Sequence, residues 1–348
     1  MKDMKPYVIA GPCSAETEEQ VMTTARGLKD AGVEVFRAGI WKPRTRPGCF
    51  EGIGVPGLPW LQRVQSELGM KVCTEVAGAR HIEECLAHGV DILWIGARTT
   101  ANPFLVQEIA DSLRGTDVPV LVKNPISPDL GLWIGALERL ARAGVKNLGV
   151  IHRGFMSLDE HRYRNAPQWQ IAIEMRTRYP ALPFYCDPSH MSGKAEYVPE
   201  ICQKAMNLGL DGLMIESHCN PSCALSDASQ QLTPAEVGRL LRSLQTRDSD
   251  TQDSLYRGTM EQLRERIDGY DEQILDALAG RMEVSRQIGE IKKSNNVAIL
   301  QMQRWDEILE GSRAEADARR LDSAFVLKVF NAIHDASVQE QNKVIQEG

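Results

Sequence analysis

The sequence predicts an α/β protein in which a (β/α)8 TIM barrel is followed by a small all-α domain of three helices. Three observations lead to this prediction. Short β-branched runs alternate with amphipathic stretches eight times between residues 7 and 245, a polar stretch follows, and long helical patterns fill the rest of the chain. Eight such units within about 240 residues favour a closed parallel barrel over an open doubly wound sheet.

The elements of the barrel are predicted from these two alternating patterns. Strands are expected at residues 7–13, 35–41, 71–76, 91–97, 119–124, 147–154, 183–189 and 212–217. The segments between the strands carry apolar residues at helical spacing. Helices are expected at residues 18–31, 79–88, 103–113, 132–143, 166–178, 198–208 and 233–244. Several helical patterns end in glycine, which stops a helix and lets the next strand begin at once.

A polar segment divides the chain into two predicted domains. Residues 246–258 read TRDSDTQDSLYRG and show no periodicity, as is typical of a linker. The barrel domain is therefore predicted at residues 1–245 and the helical domain at 259–348, with helices over 259–295, 301–316 and 323–345. The first of these helices is too long for a compact monomer. We expect a homodimer in which two copies bury its apolar stripe.

Composition excludes several classes of protein. The formal net charge of −7 gives no basic excess, so we expect no nucleic-acid partner. No run of 18 apolar residues occurs, which argues against a membrane span, and the first residues lack a signal-peptide core. The eight cysteines all fall within the first 223 residues and are expected to be mostly buried thiols in a reducing, cytoplasmic setting.

Cationic residues gather where the predicted strands end. The active site of a (β/α)8 barrel lies at the carboxyl ends of its strands. Six cations occupy these ends or the loops just after them: Arg37, Lys42, Arg44, Arg98, Lys123 and Arg153. Like charges at one mouth repel one another, so the set indicates anionic substrates that carry phosphate, which Arg binds bidentately. For any single Arg, a surface ion pair is the alternative.

A second set of strand-end residues predicts a metal site. Its members are Cys13, His190, Glu216 and Asp227, which only closure of the barrel would bring together. One thiolate, one imidazole and two carboxylates suit a divalent transition metal ion such as Mn²⁺. For His190 taken alone, a purely structural role is the alternative.

Five motifs in the barrel resemble those of the 3-deoxy-D-arabino-heptulosonate 7-phosphate (DAHP) synthases. They read GPCS at 11–14, KPRT at 42–45, IGAR at 95–98, DPSH at 187–190 and ALSD at 224–227. They follow the order of that family and span nearly the whole barrel. The domain is most similar to the short type I subgroup, in which no regulatory domain precedes the first strand.

The resemblance implies condensation of phosphoenolpyruvate with erythrose 4-phosphate and release of inorganic phosphate. It implies a divalent metal that polarises the aldehyde and is held by the four residues named above. Related 3-deoxy-octulosonate 8-phosphate synthases use the same barrel and phosphoenolpyruvate, and remain the alternative. The KPRT motif and the fused helical domain favour the four-carbon sugar.

The same resemblance assigns roles to the cations and to one carboxylate. Arg98, Lys123 and Arg153 match a clamp for the phosphate of phosphoenolpyruvate. Arg37 and Lys42 match contacts to carboxylate and carbonyl groups, and Lys42 is also a candidate proton donor. By the same matching, the phosphate of erythrose 4-phosphate falls to Arg44 and Thr45, and the attacking water to Glu75.

Charged residues in the helical domain form a pattern that one helix cannot complete. Arg281 and Lys292 are 11 residues apart and differ by only about 20° around a helix. Arg264 lies 17 residues before Arg281 and about 100° away, so a partner copy would have to supply it. Ser337 and Gln341, four residues apart, share a face of the last helix. Solvated surface charges or a plain coiled-coil dimerisation module are the alternatives.

Residues 259–345 resemble the all-helical chorismate mutases. The residues at that family's binding positions are Arg264, Arg281, Lys292, Arg304, Ser337 and Gln341. The resemblance implies rearrangement of chorismate to prephenate, which needs electrostatic stabilisation and a compact substrate but no metal. By this resemblance, Arg264 and Arg281 hold the carboxylates of the substrate. Lys292 and Gln341 stabilise its ether oxygen, and Arg304 and Ser337 complete the pocket.

Two further expectations follow for the helical domain. Gln301 and Trp305 stand where some chorismate mutases carry acidic residues, which alters the contact with the substrate hydroxyl. The fusion of two steps of one pathway also implies feedback control of the barrel through this domain. A helical tail that senses a ligand or dimerises without catalysis is the alternative.

Overall fold

The computed structural model describes residues 6–42, 48–157, 162–247, 254–300 and 302–346. Side chains of residues 254–255 and 302–304 are not described. The predicted substrate-binding residues Arg44 and Thr45, and the side chain of Arg304, therefore lie outside the described residues. The chain divides into two compact units, residues 1–249 and 250–348, and each is described by itself.

The first unit is a closed parallel barrel of eight strands in sequential order. The strands are β1 (Tyr7–Gly11), β2 (Val35–Arg37), β3 (Lys71–Val76), β4 (Ile92–Ile95), β5 (Val120–Lys123), β6 (Leu148–His152), β7 (Phe184–Cys186) and β8 (Gly212–Glu216). Strand β8 closes the barrel against β1, with Gly11 opposite Glu216. The predicted (β/α)8 architecture is confirmed.

Ten α-helices belong to this unit within the described residues. They are α1 (Glu18–Asp30), α2 (Leu58–Leu68), α3 (Ala79–Ala87), α4 (Ala97–Thr100), α5 (Pro103–Ser112), α6 (Leu130–Arg142), α7 (Trp169–Arg178), α8 (Pro188–Ser192), α9 (Val198–Asn207) and α10 (Pro234–Ser243). Helix α2 was not among those expected from the sequence. It carries a proline in its first turn and ends at Gly69 in the left-handed conformation, both ordinary helix boundaries.

Two of the short helices correct the predicted strands. Residues 97 and 188–189 were expected to extend β4 and β7, but α4 and α8 begin there instead. In α8, Asp187 caps the helix by accepting a hydrogen bond from the His190 backbone N–H, and Pro188 fixes the first turn. Arg98 and His190 therefore project from helical turns just above the barrel.

Apolar side chains fill the barrel interior up to the level of the strand ends. The interior cluster consists of Ile9, Val35, Cys73, Ile92, Trp94, Leu121, Ile151 and Met214, with Tyr185 packed against it. Trp94 is fully buried, and the guanidinium of Arg37 lies 4.7 Å from the centre of its ring. The polar side chains at the strand ends lie just above this packed core. The core holds their backbone positions rigidly.

The second unit consists of the three predicted helices, α11 (Ser254–Ser294), α12 (Met302–Ala318) and α13 (Ser323–Gln346). Helix α11 begins at Ser254, inside the segment predicted as linker. An apolar stripe on its first half is solvent-exposed, with exposed fractions of 43–58% at Leu263, Ile267, Tyr270 and Ile274. None of the described helices is both long and apolar enough to cross a membrane.

Candidate active sites

Three of the four predicted metal ligands meet at the carboxyl end of the barrel. The ligand atoms of Cys13, Glu216 and Asp227 all lie within 4.8 Å of one another. The thiol of Cys13 donates to Oδ2 of Asp227 at 3.3 Å. Strand register explains why Cys13 lies near Glu216. Strand β1 pairs with β8 so that Gly11 is opposite Glu216, and Cys13 follows Gly11 by two residues.

The fourth predicted ligand, His190, touches this group at one member. Its Nε2 lies 3.5 Å from Oε1 of Glu216. Its Nδ1 is 2.8 Å from Oδ2 of Asp187, the helix-capping carboxylate. A carboxylate behind one ring nitrogen fixes the orientation of the other, and metal-ligating histidines usually have such a partner.

The chemistry of this cluster fits a divalent cation. Burial, with a smaller contribution from Glu216, raises the pKa of the Cys13 thiol to about 12. Burial also acts to raise the pKa of Glu216 and of Asp227, but the charges of His190 and of neighbouring arginines leave both pKa values lowered. The site therefore contains two ionised carboxylates and a thiol that needs a nearby positive charge to ionise. A soft sulfur, an imidazole and two carboxylates form a suitable donor set.

Arg37 is fully buried and only partly satisfied. Its Nη2 donates to Oε1 of Glu216 at 3.1 Å. Its Nε and Nη1 are buried and have no hydrogen-bond partner among the described residues. Unpaired buried donors on a charged group cost free energy that a bound anion would recover. Arg37 therefore presents two free N–H groups suited to a carboxylate.

The other described cations are held by the protein itself. Lys42 Nζ donates to the carbonyl oxygen of Cys13 at 3.0 Å, and Lys123 Nζ donates to Asp187 at 2.6 Å. Nη1 of Arg153 donates to the side chain of Asn165 at 2.7 Å. The pKa of Arg153 is lowered to about 10, chiefly by burial, with smaller contributions from Arg164 and from Arg98, an exposed residue of α4. The repulsion expected among these cations is thus partly offset by buried carboxylates.

Glu75 occupies a tightly defined position at the end of β3. Its Oε2 accepts a hydrogen bond from Nε1 of Trp94 at 3.2 Å. Its Oε1 lies against Gly96, where a Cβ atom would come within 2.1 Å of this oxygen. A side chain at position 96 would therefore displace the Glu75 carboxylate from this position.

Sequence reasoning assigned no role to three residues that complete the site. Asp187 pairs with both Lys123 and His190. Arg164 Nη1 donates to Oδ1 of Asp227 at 3.1 Å, and Gln230 Nε2 donates to Oε2 of Glu216 at 2.6 Å. Asp187 could have been found as a carboxylate three residues before a candidate ligand. Arg164 lies in a loop and Gln230 ends a short 3-10 helix, Ala228–Gln230, and no periodic pattern identifies either residue.

A second polar group lies between α11 and α13 in the helical unit. Nη1 of Arg281 donates to Oγ of Ser337 at 2.5 Å, and Nζ of Lys292 donates to the carbonyl oxygen of Ile299 at 2.5 Å. Gln341 is buried, and its Oε1 has no hydrogen-bond partner among the described residues. Burial lowers the pKa of Lys292.

Arg264 does not join this group within one chain. It is exposed on α11. On a helix, the 17 residues between Arg264 and Arg281 correspond to about 26 Å. Trp305, noted in the sequence as a departure from acidic residues, stacks on His334 with ring centres 3.9 Å apart. An aromatic pair therefore stands beside the position of Arg304.

The closed barrel with its cations at the strand ends has the architecture of a barrel enzyme. Residues 2–253 match the DAHP synthetase I family, and residues 263–342 match chorismate mutase type II. The first match covers more than half of the chain, so this chain belongs to the DAHP synthetase I family. It carries a DAHP synthase domain fused to a chorismate mutase domain, and both predicted resemblances are confirmed.

Individual relatives support this assignment. The phospho-2-dehydro-3-deoxyheptonate aldolase of Thermotoga maritima is 34% identical over 225 residues, which cover 65% of this chain and 64% of that protein. The 2-dehydro-3-deoxyphosphooctonate aldolase of Albidiferax ferrireducens is 27% identical over 270 residues, covering 70% of this chain and 91% of that protein. The crystal structure of the Thermotoga maritima DAHP synthase gives a TM-score of 0.62 at 31% identity, covering 69% of this chain and 68% of that one.

Asp187→Asn tests the central ion pairs. Burial raises the pKa of Asp187, but His190, Lys123 and Arg37 outweigh it and hold the pKa well below its usual range. A depressed folded-state pKa stabilises the fold above the unfolded value of about 4, and this stabilisation disappears as the pH falls further. We expect the variant to lose about 3–5 kcal/mol at pH 7 and to show a weaker acid dependence of unfolding than the wild type.

Denaturant unfolding between pH 3 and 7, with chelator present, measures both effects. Glu174→Gln is the control, since Glu174 pairs with Arg178 on the surface and should contribute almost nothing. An Asp187→Asn variant as stable as the wild type at pH 7 would contradict the interpretation.

Proposed function

We propose that the barrel condenses phosphoenolpyruvate with erythrose 4-phosphate to give DAHP and inorganic phosphate, and that the helical domain rearranges chorismate to prephenate. The observation that carries the first activity is the cluster of Cys13, Glu216 and Asp227 beside buried Arg37, which has two free donors. We retain residues 1–245, 246–258 and 259–348 as the proposed domain limits, and the cytoplasm as the proposed compartment.

Cys13, His190, Glu216 and Asp227 would hold a divalent ion, Mn²⁺ or a similar metal. When bound, such an ion supplies Lewis acidity that polarises the aldehyde carbonyl of the sugar phosphate. Asp187 supports this arrangement by fixing the ring of His190.

The cations bind and orient phosphoenolpyruvate. The two free donors of Arg37 suit its carboxylate, and the ion pair with Glu216 prevents the guanidinium from turning away. Lys123, Arg153 and Arg98 would hold its phosphate, where multiple charge-assisted hydrogen bonds are strong. The phosphate of erythrose 4-phosphate is assigned to Arg44 and Thr45 by family resemblance alone.

Two residues would handle protons. As carbon 3 of phosphoenolpyruvate attacks the aldehyde, Lys42 Nζ donates a proton to the developing alkoxide. Burial acts to lower the pKa of Lys42, but nearby anionic groups including Glu75 and Glu216 raise it overall, so the ammonium form is present at neutral pH. Water then adds at carbon 2, with Glu75 accepting its proton, and phosphate leaves.

The octulosonate synthases provide the second candidate for the barrel. The octulosonate relative from Albidiferax ferrireducens aligns over 91% of its own length. The DAHP synthase relative from Thermotoga maritima is more similar to this chain, at 34% identity. The match to chorismate mutase type II also favours erythrose 4-phosphate as the substrate, because the two reactions are then steps of one pathway.

A two-reaction assay on one preparation tests the barrel and its metal. We expect phosphate release with phosphoenolpyruvate and erythrose 4-phosphate, and much less with the longer sugar phosphate of the octulosonate synthases. Chelation should abolish this condensation and leave the loss of chorismate absorbance unchanged, because the rearrangement needs no metal. Condensation that survives exhaustive chelation would refute the metal role, and preference for the longer sugar would favour the second candidate.

For the helical domain, the distance along α11 supports a homodimer with shared sites. Arg264 and Arg281 are about 26 Å apart on one helix, too far to reach one small dicarboxylate. The stripe at Leu263, Ile267 and Ile274 is exposed in one chain and would be buried by a second copy. In a twofold dimer, Arg264 of the partner would then reach the site that contains Arg281.

Mixed dimers test the shared mutase site. Arg264→Ala and Arg281→Ala should each abolish mutase turnover, because each removes a carboxylate contact. After subunit exchange of an equal mixture, half of the dimers carry one intact site, so about a quarter of wild-type mutase activity should return. Arg286→Ala, which breaks only a surface pair with Glu283 and Glu340, is the matched control. If mixing restores nothing while exchange is verified, the sites are not shared.

We further infer that prephenate bound in the helical domain inhibits the barrel. The fusion of the two families motivates this inference, together with the partly unsatisfied polar group around Arg281 and Gln341.

Prephenate should lower the condensation rate of the full chain, and Arg281→Ala should retain basal condensation but lose the inhibition. The substitution lies in the helical unit, outside the barrel chemistry. Equal inhibition of the variant and the wild type, measured as phosphate release over a prephenate titration, would exclude regulation through this site.

A further inference from the structure

A small cavity adjoins the barrel site on the side of β3. It has a volume of 180 Å³, enough for about six waters. Its lining residues are Trp41, Lys42, Glu51, Glu75, Ala77 and His81. Two of these, Lys42 and Glu75, are the proposed proton-handling residues, so the cavity opens directly onto the chemistry.

His81 is held in this wall by two contacts. Its Nδ1 accepts a hydrogen bond from the backbone N–H of Ala77 at 3.1 Å. Its ring stacks on Trp41 with centres 4.1 Å apart and planes 7° from parallel. These contacts fix both the plane and the rotation of the ring.

The hydrogen bond to Nδ1 also fixes the tautomer. A neutral ring that accepts at Nδ1 must carry its proton on Nε2. Burial lowers the pKa of His81, and although Glu75 opposes this, the neutral ring is favoured. Nε2 has no hydrogen-bond partner among the described residues. His81 therefore presents a free N–H donor in a wall of the cavity.

Glu75 faces the same cavity from a fixed position. Trp94 holds its Oε2, and Gly96 leaves just enough room for its Oε1. A water that accepts from Nε2 of His81 and donates to the carboxylate of Glu75 satisfies both groups. Direct contact between the two side chains is not required, because a water in the cavity that both residues line can bridge them.

We propose that His81 is a positioning residue of the condensation, which holds the water that Glu75 activates for addition to carbon 2. The inference rests on the proposed function of the barrel. In the step concerned, the water oxygen bonds to carbon 2 and its proton passes to Glu75. The phosphate then leaves with the electron pair of the C2–O bond that breaks, and it takes up the proton of the remaining C2–OH group, which becomes the ketone.

Three substitutions separate this role from simple support of the Trp41 side chain. His81→Gln keeps an N–H donor near the position of Nε2. His81→Asn keeps an acceptor for Ala77, but its shorter side chain places no donor at the position of Nε2. His81→Phe keeps the stack on Trp41 and loses both nitrogens.

The full-length enzyme, loaded with Mn²⁺, is assayed for phosphate release at saturating and limiting concentrations of each substrate. We expect His81→Asn and His81→Phe to lower kcat by about tenfold to a hundredfold, with both KM values within about twofold of the wild type. His81→Gln should recover most of the lost kcat. If His81→Phe does not fold, by thermal melting, the comparison of Asn with Gln decides.

Full kcat in His81→Phe would overturn the proposal, as would a Gln variant no better than Asn. A raised KM for the sugar phosphate at unchanged kcat would also overturn it and leave His81 with the role of supporting Trp41. In a double-mutant cycle, adding His81→Phe to Glu75→Gln should cost little further rate, whereas additive losses would place the two residues in separate steps. Wild-type turnover is measured first, since its absence would refute the proposed function itself rather than the role of His81.

Discussion

The barrel site depends on the matching of buried charges at the strand ends. Asp187 and Glu216 are fully buried carboxylates, and their partners Lys123 and Arg37 are almost or fully buried as well. An unpaired charge in such a place would cost several kcal/mol, so closure of the barrel has to bring the partners together. The ion pairs then hold the cations in fixed positions before any substrate arrives, which is the preorganisation that electrostatic catalysis requires.

Most of this arrangement is predictable because a parallel barrel turns sequence position into spatial position. Every strand delivers its carboxyl end to the same mouth, so counting strands was enough to place Cys13 beside Glu216. The errors of the prediction concern local structure. The extents of β2, β4 and β7 were overestimated, since β2 ends at Arg37. For β4 and β7, a β-branched pattern does not reveal that a helical turn begins at residue 97 or 188. Arg164 and Gln230 were missed because neither a loop nor a three-residue 3-10 helix shows a periodic pattern.

In the helical unit, sequence periodicity predicted the elements well, but one chain does not complete their environment. Helix α11 contributes Arg281 to the polar group shared with α13, and it carries an apolar stripe on its exposed first half. The pairing of Trp305 with His334 could not have been predicted, because it joins two helices whose relative register depends on packing rather than on pattern. Spacing along α11 was more informative, since helical rise alone separates Arg264 from Arg281.

Both units leave polar atoms buried and unsatisfied where their proposed ligands would bind. In the described part of the barrel these include Nε and Nη1 of Arg37, and in the helical unit Oε1 of Gln341. Folding around such atoms is unfavourable, and native proteins tolerate few of them. A ligand that pairs with these atoms restores their lost hydrogen bonds. The atoms that destabilise the unliganded fold therefore also select the ligands that can pair with them. For Arg37, whose free groups are all donors on a cation, that selectivity favours an anion.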